Sequence, residues 1–283
     1  MVAQNPWFVI GCGYTGARLV RALVAAGYQD VTLTRRDRAE AEHQAGQLCV
    51  RGVRVELADP STLHGVVPPD AIVVCLAPPA LDPAAEIAGL IAGARHAARI
   101  VYISSTAVYP AAAGAWVDES WPVAPHTAAG RKRAAAEAAL ALARVPRVAL
   151  RVAGIYGPER GIAERIRAGE YRIIGDGTSH VSRIHVDDLV TAIIAAGLRA
   201  GVGEAVNIAD DDPAPIGEVA DAIAAALGAP PPPRVPPDQV DPEIAGMLTA
   251  NRRIANARMK HDLGVALRYP SWRATLVDLA APP

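Results

Sequence analysis

Hydrophobic and polar positions alternate along the first 160 residues between short apolar runs and longer stretches with helical spacing. The apolar runs are rich in β-branched residues, which indicates buried strands. They span residues 7–10, 31–34, 53–57, 71–76, 100–103 and 147–152. Helical patterns lie between several of them, notably over residues 83–97 and 127–144. This alternation predicts an α/β fold with a doubly wound parallel sheet and right-handed crossovers.

The pattern changes after Gly157-Pro158. A short helix over 162–168, a helix over 186–199 and a strand over 205–208 break the regular alternation. Four consecutive prolines at 230–233 cannot continue a helix and predict an extended surface connector, with a proline-motif ligand as the alternative. We therefore expect a first domain over 1–160, to which 180–212 return, and a small C-terminal lobe over most of 161–283.

A glycine-rich turn follows the first apolar run and precedes an amphipathic helix. In a G-x-G-x-x-G turn of this kind, Gly11 allows the tight turn, Gly13 lets a pyrophosphate approach the backbone, and Gly16 permits close helix packing. The alternative is a purely structural glycine turn in another α/β protein. The candidate cofactor-binding residues are Gly11, Gly13, Tyr14, Thr15 and Gly16, with Ala77 and Pro78 at the end of a later strand.

Two arginines indicate which dinucleotide binds. An NAD-binding chain places Asp or Glu at the end of its second strand, for the ribose 2′-hydroxyl. Here the strand over 31–34 is followed by Arg35 and Arg36, which suit a 2′-phosphate. NADP(H) is favoured over NAD(H). An ordinary solvated loop remains the alternative, because Arg is the dominant cation and Lys occurs only at 132 and 260.

Composition narrows the class of protein. The chain has 283 residues, is 51% hydrophobic and carries a formal net charge of −1, which gives no electrostatic footprint for nucleic acid or an anionic membrane. The start of the chain lacks a signal-peptide pattern, and no apolar run is long enough for a bilayer span, so we expect a cytoplasmic protein. Cys12, Cys49 and Cys75 lack metal-site spacing and indicate no metal site.

Five motifs occur in the order found in the extended short-chain dehydrogenase/reductases, the NAD-dependent epimerase/dehydratase group, and the chain resembles that family over nearly its whole length. Besides the glycine turn, they are Ser104 to Tyr109, Gly154 to Pro158, Arg183 to Leu189 and Glu204 to Ile208. The resemblance implies a Rossmann domain, a C-terminal substrate lobe, a nicotinamide cofactor, a small-molecule substrate and often a homodimer.

The chain departs from this family at its catalytic pair. Members usually carry Tyr-x-x-x-Lys, in which the tyrosine exchanges the proton and the lysine lowers its pKa and holds the ribose. Aligning Glu137 with the family's acidic residue puts Ala129 at the tyrosine position and Arg133 at the lysine position. Since a positioned general acid contributes about 10²- to 10⁴-fold in rate, another group would have to replace it.

Two residues are candidates for catalysis. Ser105 matches the serine that, in the family, hydrogen-bonds the substrate oxygen; the alternative is a hydroxyl that satisfies the backbone at a strand end. His126 lies three residues before Ala129 and has a suitable pKa for a substitute acid, although it also fits a solvated loop residue.

The motif at 183–189 departs from the nucleotide-sugar members of the family. These usually place an arginine four residues before the histidine, where this chain has Val181. Arg183 precedes His185 by two residues, so both should point the same way from a strand. Asp187 and Asp188 fit helix capping better than a catalytic acid–base pair.

Two hypotheses of different class follow from these residues. The first is an NADP(H)-dependent oxidoreductase or epimerase with a non-standard proton donor, favoured by Ser105. The second is a non-catalytic NADP(H)-binding sensor or regulatory protein, favoured by Ala129.

Overall fold

The computed structural model of the chain describes residues 4–199, 201 and 203–280. Its strands are β1 (Trp7–Ile10), β2 (Val31–Arg35), β3 (Arg51–Arg54), β4 (Ile72–Cys75), β5 (Arg99–Ser105), β6 (Trp116–Val117), β7 (Arg147–Val152), β8 (Gly154–Tyr156), β9 (Ile173–Ile174), β10 (His180–Val181), β11 (Arg183–His185), β12 (Ala205–Ile208), β13 (Ala214–Pro215), β14 (Arg234–Val235) and β15 (Arg253–Ile254). Its helices are α1 (Tyr14–Ala25), α2 (Arg38–Leu48), α3 (Pro83–Gly93), α4 (Ala128–Leu140), α5 (Ile162–Arg167), α6 (Val186–Leu198), α7 (Ile216–Ala226), α8 (Pro242–Leu248), α9 (Ala257–His261) and α10 (Leu276–Ala280).

A seven-stranded parallel sheet forms the centre of the fold, in the order β12-β7-β5-β4-β1-β2-β3. Strand β1 pairs with both β2 and β4, so the strand order reverses between β1 and β4. In open α/β sheets, ligands bind outside the carboxyl ends of the strands at such a switch point. The predicted doubly wound fold is confirmed, and the glycine turn follows the strand at the reversal.

The central strands are buried because their residues are apolar on both faces. All four residues of β1 and all four of β4 are buried. Leu63, Ile87 and Leu90 pack against one side of this sheet in a shared hydrophobic core. Burial of both faces is what a parallel sheet covered by helices requires.

Three predicted elements differ from the structure. The helix predicted over 127–144 ends at Leu140, where the Leu142 and Ala143 amides donate to the Ala139 and Leu140 carbonyls in tight turns. The strand predicted over 53–57 ends earlier, at Arg54, because Thr62 Oγ1 hydrogen-bonds the amide and the carbonyl of Glu56 and turns the chain away from the sheet edge. The helix predicted over 83–97 ends at Gly93, and the chain turns so that the Ala98 amide donates to the Ala71 carbonyl at 2.9 Å.

The chain divides into two compact units. The first comprises the described residues up to Ser104 together with 132–151 and 190–206. The second comprises 105–131, 152–189 and the described residues from Asn207 onward. This division assigns 105–131 and 152–160 to the second unit. The expected roles of the two parts in binding cofactor and substrate stay a prediction.

The second unit is built from short pairs of strands. Strand β8 pairs with β11, β9 with β14, β10 with β13 and β6 with β15. The extended segment after the prolines at 230–233 therefore ends in a strand, because Arg234 and Val235 pair with β9. A small core around Tyr171 and Ile173 packs against α7. In the described part of the chain, no helix is both long and apolar enough to cross a membrane.

Candidate functional site

Gly11 and Gly16 make the glycine turn compact. Gly11 has a φ of +85°, and a Cβ there would lie 2.9 Å from the Ala77 amide nitrogen, so a larger residue would be both strained and in collision with the backbone. A Cβ on Gly16 would lie 3.0 Å from the Gly11 carbonyl oxygen. Ala77 therefore lies against the turn, as expected from the sequence, while Pro78 is exposed.

Gly13 has a different reason for lacking a side chain. Apart from its immediate chain neighbours, a Cβ at this position would meet no atom of the described residues within 4 Å. Gly13 is also the N-cap of α1, and no side chain caps the first turn of that helix. A helix start of this kind offers amide groups and a favourable dipole to an anion. The open space before Gly13 fits a pyrophosphate.

Tyr14 and Thr15 form the first turn of α1. Thr15 is buried. The guanidinium of Arg18 lies 3.9 Å from the centre of the Tyr14 ring, and its Nη1 donates to the Tyr14 carbonyl at 3.3 Å. Tyr14 thus holds a cation over its ring at the start of the helix.

Arg35 and Arg36 differ in their surroundings. Arg35 Nη1 donates to the Cys12 carbonyl at 3.1 Å, and Nη2 lies 3.2 Å from Glu40, so this side chain ties β2 to the glycine turn. Arg36 is exposed, and within the described residues its side chain makes no hydrogen bond or ion pair. Arg36 is therefore the more available cation at the end of β2.

The start of α4 is capped by a carboxylate from a distant helix. Both oxygens of Glu243, in α8, accept backbone hydrogen bonds at 2.7 Å, one from Ala128 and one from Ala129. These bonds lower the pKa of Glu243. We call this arrangement the Glu243 cap. His126 donates from Nε2 to the Gly246 carbonyl at 2.8 Å and so joins the same two segments.

Arg133, one turn along α4 from Ala129, is committed to the first unit. Its Nη1 donates to the Ile103 carbonyl at 2.6 Å and to the Tyr102 hydroxyl at 3.1 Å. Glu137 in turn pairs with Arg151 at 2.8 Å and accepts from Ser104 Oγ at 2.5 Å. Both α4 side chains therefore fix the helix to neighbouring strands.

The second unit encloses a cavity of about 880 Å³. Ser105 lines it, and its Oγ accepts from the Ala107 amide at 3.1 Å. This bond uses a lone pair and leaves the hydroxyl hydrogen for another acceptor. His126 is not among the described residues that line the cavity. Of the two expected catalytic residues, the structure places Ser105 at the cavity and His126 at the Glu243 cap.

Three rings form part of the cavity wall. The His185 ring stacks on Tyr269 with centroids 3.7 Å apart, and Tyr156 meets His185 edge-on at 5.3 Å. The hydroxyl of Tyr156 is buried and has no hydrogen-bond partner among the residues that the structure describes, and burial raises its pKa. Arg183 lines the same cavity as His185, which agrees with the expected common direction of these two side chains.

Asp188 has a role that sequence reasoning missed. Its two carboxylate oxygens accept from the Arg268 and Tyr269 amides at 2.8 Å each. The sequence predicted that Asp188 caps its own helix. In the structure it instead anchors the C-terminal segment that carries Tyr269. No local pattern reveals this role, because the partners lie about eighty residues away in sequence.

The parallel sheet, the switch point and the glycine cradle define a Rossmann-type dinucleotide-binding protein. Residues 7–209 match the model of the NAD dependent epimerase/dehydratase family. The chain therefore belongs to that family. Membership supports an oxidoreductase-type enzyme that binds a nicotinamide dinucleotide.

Several known proteins are similar to this chain. A 3-diazoavenalumate denitrifying reductase from Streptomyces sp is 35% identical over 55% of this chain and only 53%, about half, of its own length. A 2-alkyl-3-oxoalkanoate reductase from Stenotrophomonas maltophilia (strain K279a) is 31% identical over 78% of this chain and 74% of that protein. The structure of a functionally unknown conserved protein from Silicibacter pomeroyi DSS is 32% identical, with a TM-score of 0.83 and 98% of both chains covered.

Proposed function

We propose that this protein is an NADP(H)-dependent oxidoreductase or epimerase that acts on a small molecule without a Tyr-x-x-x-Lys pair. The observation that carries the proposal is the glycine turn, in which Gly11 and Gly16 are required by packing while Gly13 faces open space. The candidate cofactor-binding residues are Gly11, Gly13, Tyr14, Thr15, Gly16, Arg35, Arg36, Ala77 and Pro78.

The preference for NADP(H) rests on Arg36. Its exposed guanidinium has no competing partner in the described chain, whereas Arg35 already pairs with Glu40. A charge-assisted hydrogen bond contributes about 1.5 to 3 kcal/mol, which corresponds to a roughly ten- to hundredfold difference in affinity.

Ser105 is the proposed residue that binds the reacting oxygen. When bound, the nicotinamide dinucleotide supplies the hydride donor or acceptor. The Ser105 hydroxyl donates to the substrate oxygen, because its acceptor side is used by the Ala107 amide. This contact orients the substrate and stabilises negative charge that develops on the oxygen. His126 stays a candidate for the proton donor, although its bond to Gly246 favours a positioning role.

The second candidate function is a cofactor-binding sensor without turnover. It is favoured by the start of α4, where Ala129 has no proton to exchange and its amide is held by Glu243. Arg133 supports the same alternative, because its Nη1 is bound to β5.

The first experiment on the purified chain tests the cofactor preference, which both candidate functions share. We expect fluorescence titration to give at least tenfold tighter binding of NADPH than NADH. The preference should be lost in Arg36→Ala and kept in Arg38→Ala, a nearby exposed arginine at the start of α2. Equal affinities in the parent protein would remove the argument for NADP(H).

Turnover is then followed by NADPH absorbance on a panel of aldehydes, ketones and sugars. Ser105→Ala should lower kcat at least tenfold with unchanged NADPH affinity, because a transition-state interaction acts on rate. His126→Ala and His126→Asn separate its two roles, since asparagine can still donate to Gly246 but cannot supply a proton. If His126→Asn keeps full activity while His126→Ala loses it, His126 positions the helix start and does not donate the proton. No turnover with any substrate favours the sensor.

A further inference from the structure

Arg183 is a buried cation in the wall of the cavity. It lies in β11, is only 8% exposed and lines the cavity. Burial lowers the pKa of its guanidinium, since charge is poorly tolerated away from water. Buried charges in proteins are normally paired, because an isolated one is very costly.

The described residues do not provide that pair. Arg183 Nη1 is buried and has no hydrogen-bond partner, and no carboxylate of the described chain lies within 4.0 Å of the guanidinium nitrogens. Asp210 is joined to Arg183 through its backbone, where its amide donates to the Arg183 carbonyl at 2.6 Å. The Oδ2 atom of Asp210 is likewise buried, with no hydrogen-bond partner in the described chain.

Asp210 does not balance the charge at neutral pH. Burial raises the pKa of its carboxyl to about 8, so most of it is protonated at pH 7. The buried Tyr156 hydroxyl, also without a partner, is a second donor in the same wall. Asp212 also attracts the guanidinium electrostatically, but like Asp210 it forms no ion pair with Arg183 in the described chain. The wall thus holds a cation without an ion-pair partner among the described residues, and an unused hydroxyl.

Other arginines of the cavity wall are already used by the protein. Arg252 is as buried as Arg183, but its Nη1 donates to the Tyr109 and Pro110 carbonyls. Arg167 is half-exposed and pairs with Glu164 three residues earlier in α5. Arg183 differs from both because its side chain has no hydrogen-bond acceptor among the described residues.

We propose that the cavity binds a substrate carrying a carboxylate or phosphate group, and that Arg183 is the residue that recognises this anion. The guanidinium fork matches either group in bidentate geometry. The proposal rests on the proposed function only in taking this cavity as the substrate site. It deepens that function by giving the substrate an anionic group.

The test uses three probes of similar shape on the full chain without cofactor: phenylacetate, phenyl phosphate and the neutral phenylacetamide. We expect isothermal titration to show at least one anion binding ten or more times tighter than the amide. The anion that binds more tightly shows whether the site prefers a carboxylate or a phosphate. Arg183→Met should remove this selectivity while leaving the affinity for phenylacetamide unchanged.

Arg167→Met is the matched control, because it makes the same chemical change in the same wall at a residue that is already paired. It should keep the selectivity. Arg183→Met should unfold at the same temperature as the parent or higher, since it removes an unpaired buried charge. Arg183→Lys provides a second folded variant, with intermediate selectivity.

Two results would overturn the anion site. One is equal or absent binding of all three probes to the parent at millimolar concentration, and the other is selectivity that survives in folded Arg183→Met. Failure of the proposed function is separate, because cofactor preference and turnover are measured with NADPH. Anion-selective binding without turnover would support the anion site and contradict the proposed enzymatic function.

Discussion

Helices α1 and α4 begin in opposite ways, although each has a glycine in its first turn. The first turn of α1 has no side-chain cap, and its N-cap Gly13 borders open space. The first turn of α4 is closed by the Glu243 carboxylate, which accepts from the Ala128 and Ala129 amides. One helix start is available to an anion from solution, and the other already holds an anion from the protein.

The difference shows how a helix start becomes a binding site. The amides and dipole of a first turn attract negative charge wherever they occur. At α4 that attraction stabilises the protein's own chain, which leaves nothing for a ligand. At α1 it remains for a phosphate. A glycine N-cap therefore matters because it has no side chain to accept from the first-turn amides, which stay available to a ligand.

The largest expected effect comes from filling the space at α1. Gly13→Val should weaken NADPH binding by more than a hundredfold, because the side chain would occupy the position of the pyrophosphate. Since that Cβ would meet no non-neighbouring atom within 4 Å in the described part of the chain, the unfolding temperature should change little. Cofactor titration and thermal unfolding on the same sample separate the two effects, with Gly13→Ala as the milder variant. NADPH binding equal to that of the parent would make the turn purely structural.

A smaller effect, on stability, is expected from the neighbouring glycine. Gly11→Ala forces a side chain onto a φ of +85° and within 2.9 Å of the Ala77 amide nitrogen. We expect it to lower the free energy of unfolding by about 1 to 3 kcal/mol, which denaturant unfolding measures. If Gly11→Ala leaves the free energy of unfolding unchanged, packing does not distinguish Gly11 from Gly13.

The smallest effect is expected from weakening the Glu243 cap. Glu243→Gln keeps the shape but removes the charge, and should lower the unfolding temperature only slightly at pH 7, because exposed charges are screened by water. Because hydrogen bonds lower the pKa of Glu243, its contribution is complete above its ordinary pKa of 4.5 and is lost as pH falls through the lowered value. Unfolding temperatures of parent and variant should therefore converge in acid. A constant difference from pH 7 to pH 3 would contradict this origin.

The fold could be predicted from the sequence because its signals are local. Apolar runs at the strands and glycines between β1 and α1 act over a few residues, and these predictions are confirmed. The strand at 53–57 was misplaced because Thr62, several residues later, ends it at Arg54. The helix predicted to reach residue 97 ends early for the same kind of reason, a backbone bond from Ala98 to Ala71.

The candidate site was less accessible to sequence reasoning. Its partners are far apart along the chain: Glu243 with Ala129, and Asp188 with Tyr269. The sequence singled out Arg183 by its distance from His185, but not its burial or its missing partner. Arg183 stands between Ser182 and Ile184, a local sequence that does not distinguish a buried arginine from an exposed one.

The Glu243 cap also has a consequence for the newly made chain. It joins residues 115 positions apart, so α4 leaves the ribosome long before its cap is synthesised. At roughly 5 to 20 residues per second, the interval is on the order of ten seconds. During that time the Ala128 and Ala129 amides lack the Glu243 cap, and the local cap available to the first turn of α4 is the Thr127 hydroxyl, which accepts from the Gly130 amide at 3.1 Å in the folded chain. The segment around α8 completes a helix that began more than a hundred residues earlier.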